Sequence, residues 1–175
     1  MTELSIIITV FNGGKFLYES LKELGTWLKQ HNKFELIVVN DGSSDDTLRI
    51  LENFKKQTPN YFLVDLKENQ GKGFALREGM KRASGDCIGF TDADLPYGLG
   101  VFDQMLSLMK ADPNISFLYG SRHHALSRSK KGYGFIRSIG RLFFSYIIRL
   151  LAVPNVPYTQ CGIKMFRKDF FDDVL

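Results

Sequence analysis

"FELIVVNDGSSDDT", residues 34–47, joins an almost unbroken apolar run to a cluster of turn and capping residues. A strand with one face in water alternates apolar and polar side chains, whereas a strand covered on both faces reads as "LIVV" does here. Such strands belong to mostly parallel sheets, because parallel neighbours need crossover connections that lay helices over the sheet. The residues behind the run agree with this. Asp41 leaves the strand, Gly42 permits a tight turn, and Ser43, Ser44 or Asp45 can cap the helix that follows.

The same alternation extends along the chain on both sides. "LSIIITV" (4–10), "YFLVDL" (61–66), "CIGFT" (87–91) and "SFLYGS" (116–121) read as further strands. Leu17, Leu21, Leu24 and Leu28 form one helical stripe, and Phe102, Met105, Leu106 and Met109 another; both are core-facing. The expectation is an α/β fold in a single domain over residues 1–175, with a mostly parallel central sheet and helices on both faces. The last residues, "KDFFDDVL", read as the opening turns of a helix with no C-terminal cap, which predicts a natural chain that is longer than this one.

Composition narrows the partners. Cys87 and Cys161 lie far apart and neither sits in a C-x-x-C pair, so neither a disulfide framework nor a zinc site is suggested. Glu3 and a strand follow Met1 directly, where an export signal needs a basic and then an apolar region, so the expected compartment is the cytoplasm. Arg149 interrupts the longest apolar stretch, Leu142 to Val153, well short of the roughly eighteen residues of a span. The net charge is only +4, yet Ser121 to Ala152 holds seven Lys/Arg and no acidic residue, which points to an anionic partner. Its basic and apolar residues suit a helix lying on an anionic bilayer, or one packed with a charged face outward. No nucleic-acid motif accompanies it, so nucleic acid is not expected.

In an open α/β sheet, ligands gather beyond the carboxyl ends of the strands, which makes the turns there the places to look. Asp41 either belongs to a well-capped turn or accepts hydrogen bonds from a base N–H or ribose hydroxyl. "NQGKGFALREGM" (69–80) combines glycines, Lys72 and a helix N-terminus, a set suited to phosphate, although it matches neither a Walker A loop nor G-x-G-x-x-G. "FTDADL" (90–95) brings Asp92 and Asp94 to a strand end. In extended backbone they would project to the same side and could share one cation; the alternative is a solvated acidic turn.

In this order and spacing, "ITVFN", "VVNDGSSDDT", "NQGKGFALREGM" and "FTDADL" resemble the nucleotide-sugar half of family 2 glycosyltransferases, which have the Rossmann-like GT-A fold. "GSR" (120–122) and "TQCGIKMF" (159–166) extend the resemblance to the branch that glycosylates polyprenyl or dolichyl phosphate, most like the β-glucosyltransferases. The resemblance implies that Thr9, Phe11 and Asp41 hold the nucleoside, that Lys72 lies near the phosphates, and that Asp92 and Asp94 bind Mg²⁺ or Mn²⁺ and the diphosphate. It places Gln160 near the donor sugar and gives the acceptor phosphate to Arg122 and Arg137. Thr9, Gly13 and Asn40 depart from the residues usual at those positions, and Pro96 cannot supply the further metal ligand that some relatives carry.

The implied activity is transfer of a hexose, with inversion, from a UDP-glucose or GDP-mannose type donor to a polyprenyl or dolichyl phosphate at the cytoplasmic face of a membrane. Two other functions compete with it. One is an enzyme of the same fold acting on a polysaccharide or protein hydroxyl; the other is a nucleotide-binding membrane scaffold without turnover.

Overall fold

The computed structural model describes residues 1–121 and 161–172. The chain divides into two compact units, Met1–Leu118 with Ile163–Leu175 and Tyr119–Gly162, and nearly all the described residues belong to the first.

Six strands form one sheet: β1 (Leu4–Val10), β2 (Phe34–Asp41), β3 (Tyr61–Leu66), β4 (Cys87–Asp92), β5 (Phe117–Tyr119) and β6 (Lys164–Arg167), in the order β3-β2-β1-β4-β6-β5. The β1–β2, β1–β4 and β2–β3 pairs are parallel and β4–β6 is antiparallel. β1 and β2 are buried almost throughout, as their unbroken apolar runs require. The described helices are α1 (Leu17–Leu28), α2 (Thr47–Lys55), α3 (Lys72–Arg82), α4 (Gly100–Ala111) and α5 (Lys168–Asp172).

Strand alternation sorts the core between the two faces. Ile7, Ile37, Val39, Ile88 and Phe90 cluster with Ala75 of α3 and with Ala83 just past its end. Gly79 lets α3 come close here, since a Cβ at that position would lie 2.6 Å from Ile7 Cγ2. On the other face, a Cβ at Gly89 would lie 2.7 Å from the Phe102 ring of α4. Trp27 of α1 joins α4 there, its indole N–H donating to Asp103 Oδ2 at 3.3 Å and its ring 6.4 Å from that of Phe102. Both leucine and methionine stripes face inward as their spacing predicts.

The strand bounds follow the sequence closely at β1 and β3 and differ elsewhere. β2 and β4 each run one residue further, to Asp41 and Asp92, while the strand expected over residues 116–121 shrinks to Phe117–Tyr119. β6 is an addition: "KMFR" is too short to read as a strand by itself, and its pairing with Cys87–Phe90 is what makes it one. α5 begins where "KDFFDDVL" predicts a helix.

The order β3-β2-β1-β4 fixes where chemistry belongs. Succession moves outward from β1 to β3 and then jumps back to β4 on the other side of β1, so the carboxyl ends of β1 and β4 flank a topological switch point.

Candidate nucleotide-sugar site

A cleft of about 390 Å³ opens at that switch point, lined by Thr9, Val10 and Phe11 from the end of β1, Asp41 from β2, Asn69, Gly71 and Lys72 from the loop into α3, and Asp92 from β4. Parallel pairing produces the convergence, since Thr9 lies opposite both Val39 and Asp92 in the register. The structure therefore brings together Thr9, Phe11, Asp41, Lys72 and Asp92, five residues singled out by the sequence.

Asp41 is 3% exposed, and each of its carboxylate oxygens accepts a backbone N–H: Oδ1 from Gln70 at 2.8 Å, Oδ2 from Gly71 at 3.0 Å. Asn69 Nδ2 donates to the Asp41 carbonyl at 3.3 Å, so the end of β2 is clasped to the loop on three sides. Gly42 makes the clasp sterically feasible. Its φ is +67°, and a Cβ there would fall 2.3 Å from the backbone carbonyl carbon of Glu68. A carboxylate offers about four lone-pair sites, so Asp41 retains acceptor capacity toward the cleft.

The N-cap of α2 is Asp46, whose side chain makes no capping bond, rather than Ser43, Ser44 or Asp45, and those residues lace the turn to the residues just past β1 instead. Asp45 accepts the N–H of Thr47 at 3.0 Å and of Gly14 at 3.0 Å, while Thr47 Oγ1 accepts the N–H of Gly13 at 2.8 Å. Asn12 completes the lacing: its N–H goes to Ser43 Oγ at 2.9 Å and its Oδ1 accepts from the Ser44 N–H at 2.9 Å. The Thr47 hydroxyl holds the Asp45 carboxyl below its usual range. Asn40, one of the departures from the family resemblance, is buried and donates to Asp65 Oδ1 at 2.7 Å.

Lys72 Nζ forms an ion pair with Asp92 Oδ1, with side chains 50% and 35% exposed. Asp94 does not share this cleft. β4 ends at Asp92, and the Leu95 N–H returns to the Asp92 carbonyl at 3.1 Å in a turn that leaves Leu95 buried at φ +48°. The extended geometry that would align the two aspartates is thus replaced by a turn anchored on Leu95. Asp94 is exposed and lines a larger hollow of about 750 Å³, bounded by residues of α1 and its two ends, from Phe16 to Gln30, and by Leu99 and Gly100. Size does not decide between the two cavities; the smaller one has the strand ends, the helix N-terminus and the paired charges. Arg122, Arg137 and Gln160 lie outside the described residues.

Among the described residues, no three His, Cys, Asp or Glu side chains gather as a metal cluster. The donor chemistry still fits Mg²⁺ or Mn²⁺. Asp92 is a partly exposed carboxylate already bearing a cationic group, Asp94 follows two residues on, and such ions are commonly held by one or two carboxylates together with water and substrate phosphates.

Residues 5–175 match the family model described as glycosyl transferase family 2. The chain belongs to that family. This family 2 chain is 33% identical over 175 residues to a dolichyl-phosphate beta-glucosyltransferase of Trichomonas vaginalis, covering 94% of the chain and 53% of the relative. It is 32% identical over 180 residues to the dolichyl-phosphate beta-glucosyltransferase of Drosophila melanogaster, covering 95% and 55%. It spans about half the length of these curated relatives. Among solved structures, a Pyrobaculum calidifontis mannosyltransferase in complex with GDP-Man and Mn²⁺ superposes with a TM-score of 0.67 at 19% identity, covering 98% of this chain and 46% of that one. Glucosyl-3-phosphoglycerate synthase of Mycobacterium tuberculosis, in complex with Mn²⁺, UDP and phosphoglyceric acid, gives 0.69 at 18% identity, covering 96% and 56%. These two likenesses show that this chain has the GT-A fold of its structural neighbours.

Three cleft residues, Val10, Asn69 and Gly71, were given no individual role by sequence reasoning, although "NQGKG" as a whole was read as suited to phosphate. An asparagine and a glycine just ahead of a helix mark a turn, but that Asp41 is what this turn closes on is shown only by the fold.

Proposed function

We propose that this chain carries the donor-binding part of an inverting hexosyltransferase that acts on a polyprenyl or dolichyl phosphate at a membrane surface. The observation that carries the reading is the convergence of Phe11, Asp41, Lys72 and Asp92 on one cleft at the switch point of the sheet. The likeness to dolichyl-phosphate beta-glucosyltransferases supports the acceptor.

Each residue has work suited to its place. Phe11 is half exposed at the rim and offers an aromatic face to a nucleobase. Asp41 holds the 69–71 loop and keeps lone pairs for base or ribose donors. The N-terminus of α3 and Lys72 receive the diphosphate. Asp92, completed by water and substrate oxygens, would hold a divalent cation, which when bound neutralises charge on the departing nucleoside diphosphate.

A phosphate monoester has its second pKa near 6, so a polyprenyl phosphate is anionic at pH 7 and attacks the anomeric carbon directly. The new C–O bond forms as the bond to the diphosphate breaks, on the opposite side, which turns an α-linked donor into a β-linked product. No general base is required; the protein supplies position and charge. Arg122 and Arg137 are proposed to hold the acceptor phosphate and Gln160 to border the donor sugar. The basic segment from Ser121 to Ala152 is proposed to face the anionic lipid surface at the cytoplasmic side. No helix among the described residues is long and apolar enough to cross a membrane.

The test is transfer of radiolabelled hexose from UDP-glucose or GDP-mannose to a short-chain polyprenyl phosphate, with wild type and Asp92→Ala. A β-linked lipid product from wild type and much less from the variant is expected. An α-linked product contradicts single displacement, transfer only to a hydroxyl acceptor overturns the lipid assignment, and binding without transfer by either protein favours the scaffold.

A further inference from the structure

We infer that Lys72 is the resident counter-ion of Asp92: its ammonium holds the carboxylate that a divalent cation takes in the loaded enzyme, and it moves to the donor's diphosphate when that arrives. The inference rests on the donor reading of the cleft given above.

Three features of the structure support this exchange. Lys72 is the first residue of α3, and a cation there opposes the helix dipole, which favours negative charge at an N-terminus. The first turn of α3 contains no acidic residue to offset it. The compensating charge comes instead from Asp92, twenty residues away in sequence on β4. A lysine is thus held in an unfavourable place by one carboxylate, and a diphosphate at the same helix end could hold it equally well.

The space around the lysine suits an arriving anion. A Cβ at either Gly71 or Gly73 would meet nothing within 4 Å, so both backbone faces beside Lys72 are open to a ligand. The ion pair is not locked by burial either, since its two side chains are 50% and 35% exposed. A flexible four-carbon stem with three donors can exchange one oxygen partner for another with little rearrangement of the loop.

The exchange implies competition. A dication approaching Asp92 meets a fixed positive charge on that carboxylate, and must displace it or bind against its repulsion. Metal alone should therefore bind weakly to the wild type, and diphosphate alone should bind by drawing Lys72 off Asp92. Lys72 then acts as a positioning residue in the empty enzyme and as a diphosphate ligand in the loaded one.

The experiment measures two affinities separately on the 175-residue chain. Mn²⁺ binding without nucleotide is read from the free-ion electron paramagnetic resonance signal, and UDP and GDP binding without metal by calorimetry in EDTA. In Lys72→Met, Mn²⁺ should bind about tenfold tighter and the nucleoside diphosphate about tenfold weaker, within the usual span of coupled sites. Lys72→Arg, which keeps the charge, should stay near wild type for Mn²⁺. Asp92→Asn should lose Mn²⁺ affinity and gain metal-free nucleotide affinity, because it releases the lysine. Opposite shifts from one substitution cannot come from loop damage, which weakens both ligands together. Mn²⁺ affinity in Lys72→Met equal to or below wild type overturns the inference, as does a joint loss of both affinities. If wild type binds neither UDP nor GDP, with or without Mn²⁺, the donor reading itself falls; if nucleotide binds while Mn²⁺ ignores the substitution, the exchange alone falls.

Discussion

The carboxylate of Asp41 accepts the backbone N–H of Gly71 at 3.0 Å, binding the end of β2 to the residue just ahead of α3. The second oxygen accepts from Gln70, so one buried side chain orients the whole loop that presents Lys72. Asp41→Asn puts an amide nitrogen where one of two N–H donors now points. A loss of about 1–3 kcal/mol in urea unfolding is expected, together with weaker nucleotide binding by titration. Wild-type stability in the variant would show that the clasp is dispensable.

Gly42 and Gly98 separate backbone strain from collision. Both have positive φ, +67° and +70°, but a Cβ at Gly42 strikes the Glu68 backbone whereas nothing lies within 4 Å of one at Gly98. Gly98→Ala should cost about 1 kcal/mol from conformation alone, and Gly42→Ala about 3 kcal/mol or more. Equal losses by chemical denaturation would contradict the close approach of the loop.

At the opposite end of the strands, Glu35 is 4% exposed and accepts from Ser5 Oγ at 2.6 Å, the Ser84 N–H at 2.7 Å and Ser84 Oγ at 3.0 Å. This network pins the α3–β4 connection to the start of β1 and β2. Glu35→Ala leaves those donors unsatisfied and should destabilise by about 3 kcal/mol. Nucleotide affinity, measured under native conditions, should stay unchanged, because the cleft lies beyond the other ends of the same strands.

Glu3 pairs with two lysines, Lys33 at 2.8 Å and Lys110 at 2.7 Å. Hydrogen bonds from Lys110 and Lys33 lower its pKa from 4.5 to about 2. A carboxyl depressed in the folded state contributes stability that is present above its unfolded value and disappears as pH falls through the folded one. The stability advantage of wild type over Glu3→Gln should therefore hold above pH 4.5 and fade between 4.5 and about 2. An advantage that persists undiminished at pH 2 would contradict the pairing.

Much of this fold is legible in the sequence because burial on two faces writes itself as unbroken apolar runs, bounded by punctuating residues. β1 begins and ends where such a run does, while β3, a mostly half-buried edge strand broken by Asp65, keeps the bounds its β-rich composition predicts. β6 was not legible: four residues carry no period, and their strand character comes from β4, more than seventy positions earlier. In the site, Asp41, Lys72 and Asp92 could be singled out as chemistry at strand ends. What Asp41 touches could not, since Gln70 and Gly71 lie 29 and 30 residues away and only the β2–β3 pairing brings them to it. Asp94 shows the limit of spacing rules, for the buried Leu95 turns the chain before the second carboxylate can align with the first.

A crystal structure of the chain with UDP or GDP and Mn²⁺ probes the proposed cleft most directly. The expected density is a diphosphate between Lys72 and the N-terminus of α3, a metal ion on Asp92, and the base beside Phe11 and Asp41. Nucleotide bound elsewhere, in the hollow along α1 for example, or a cleft that stays empty at saturating ligand, would contradict the assignment.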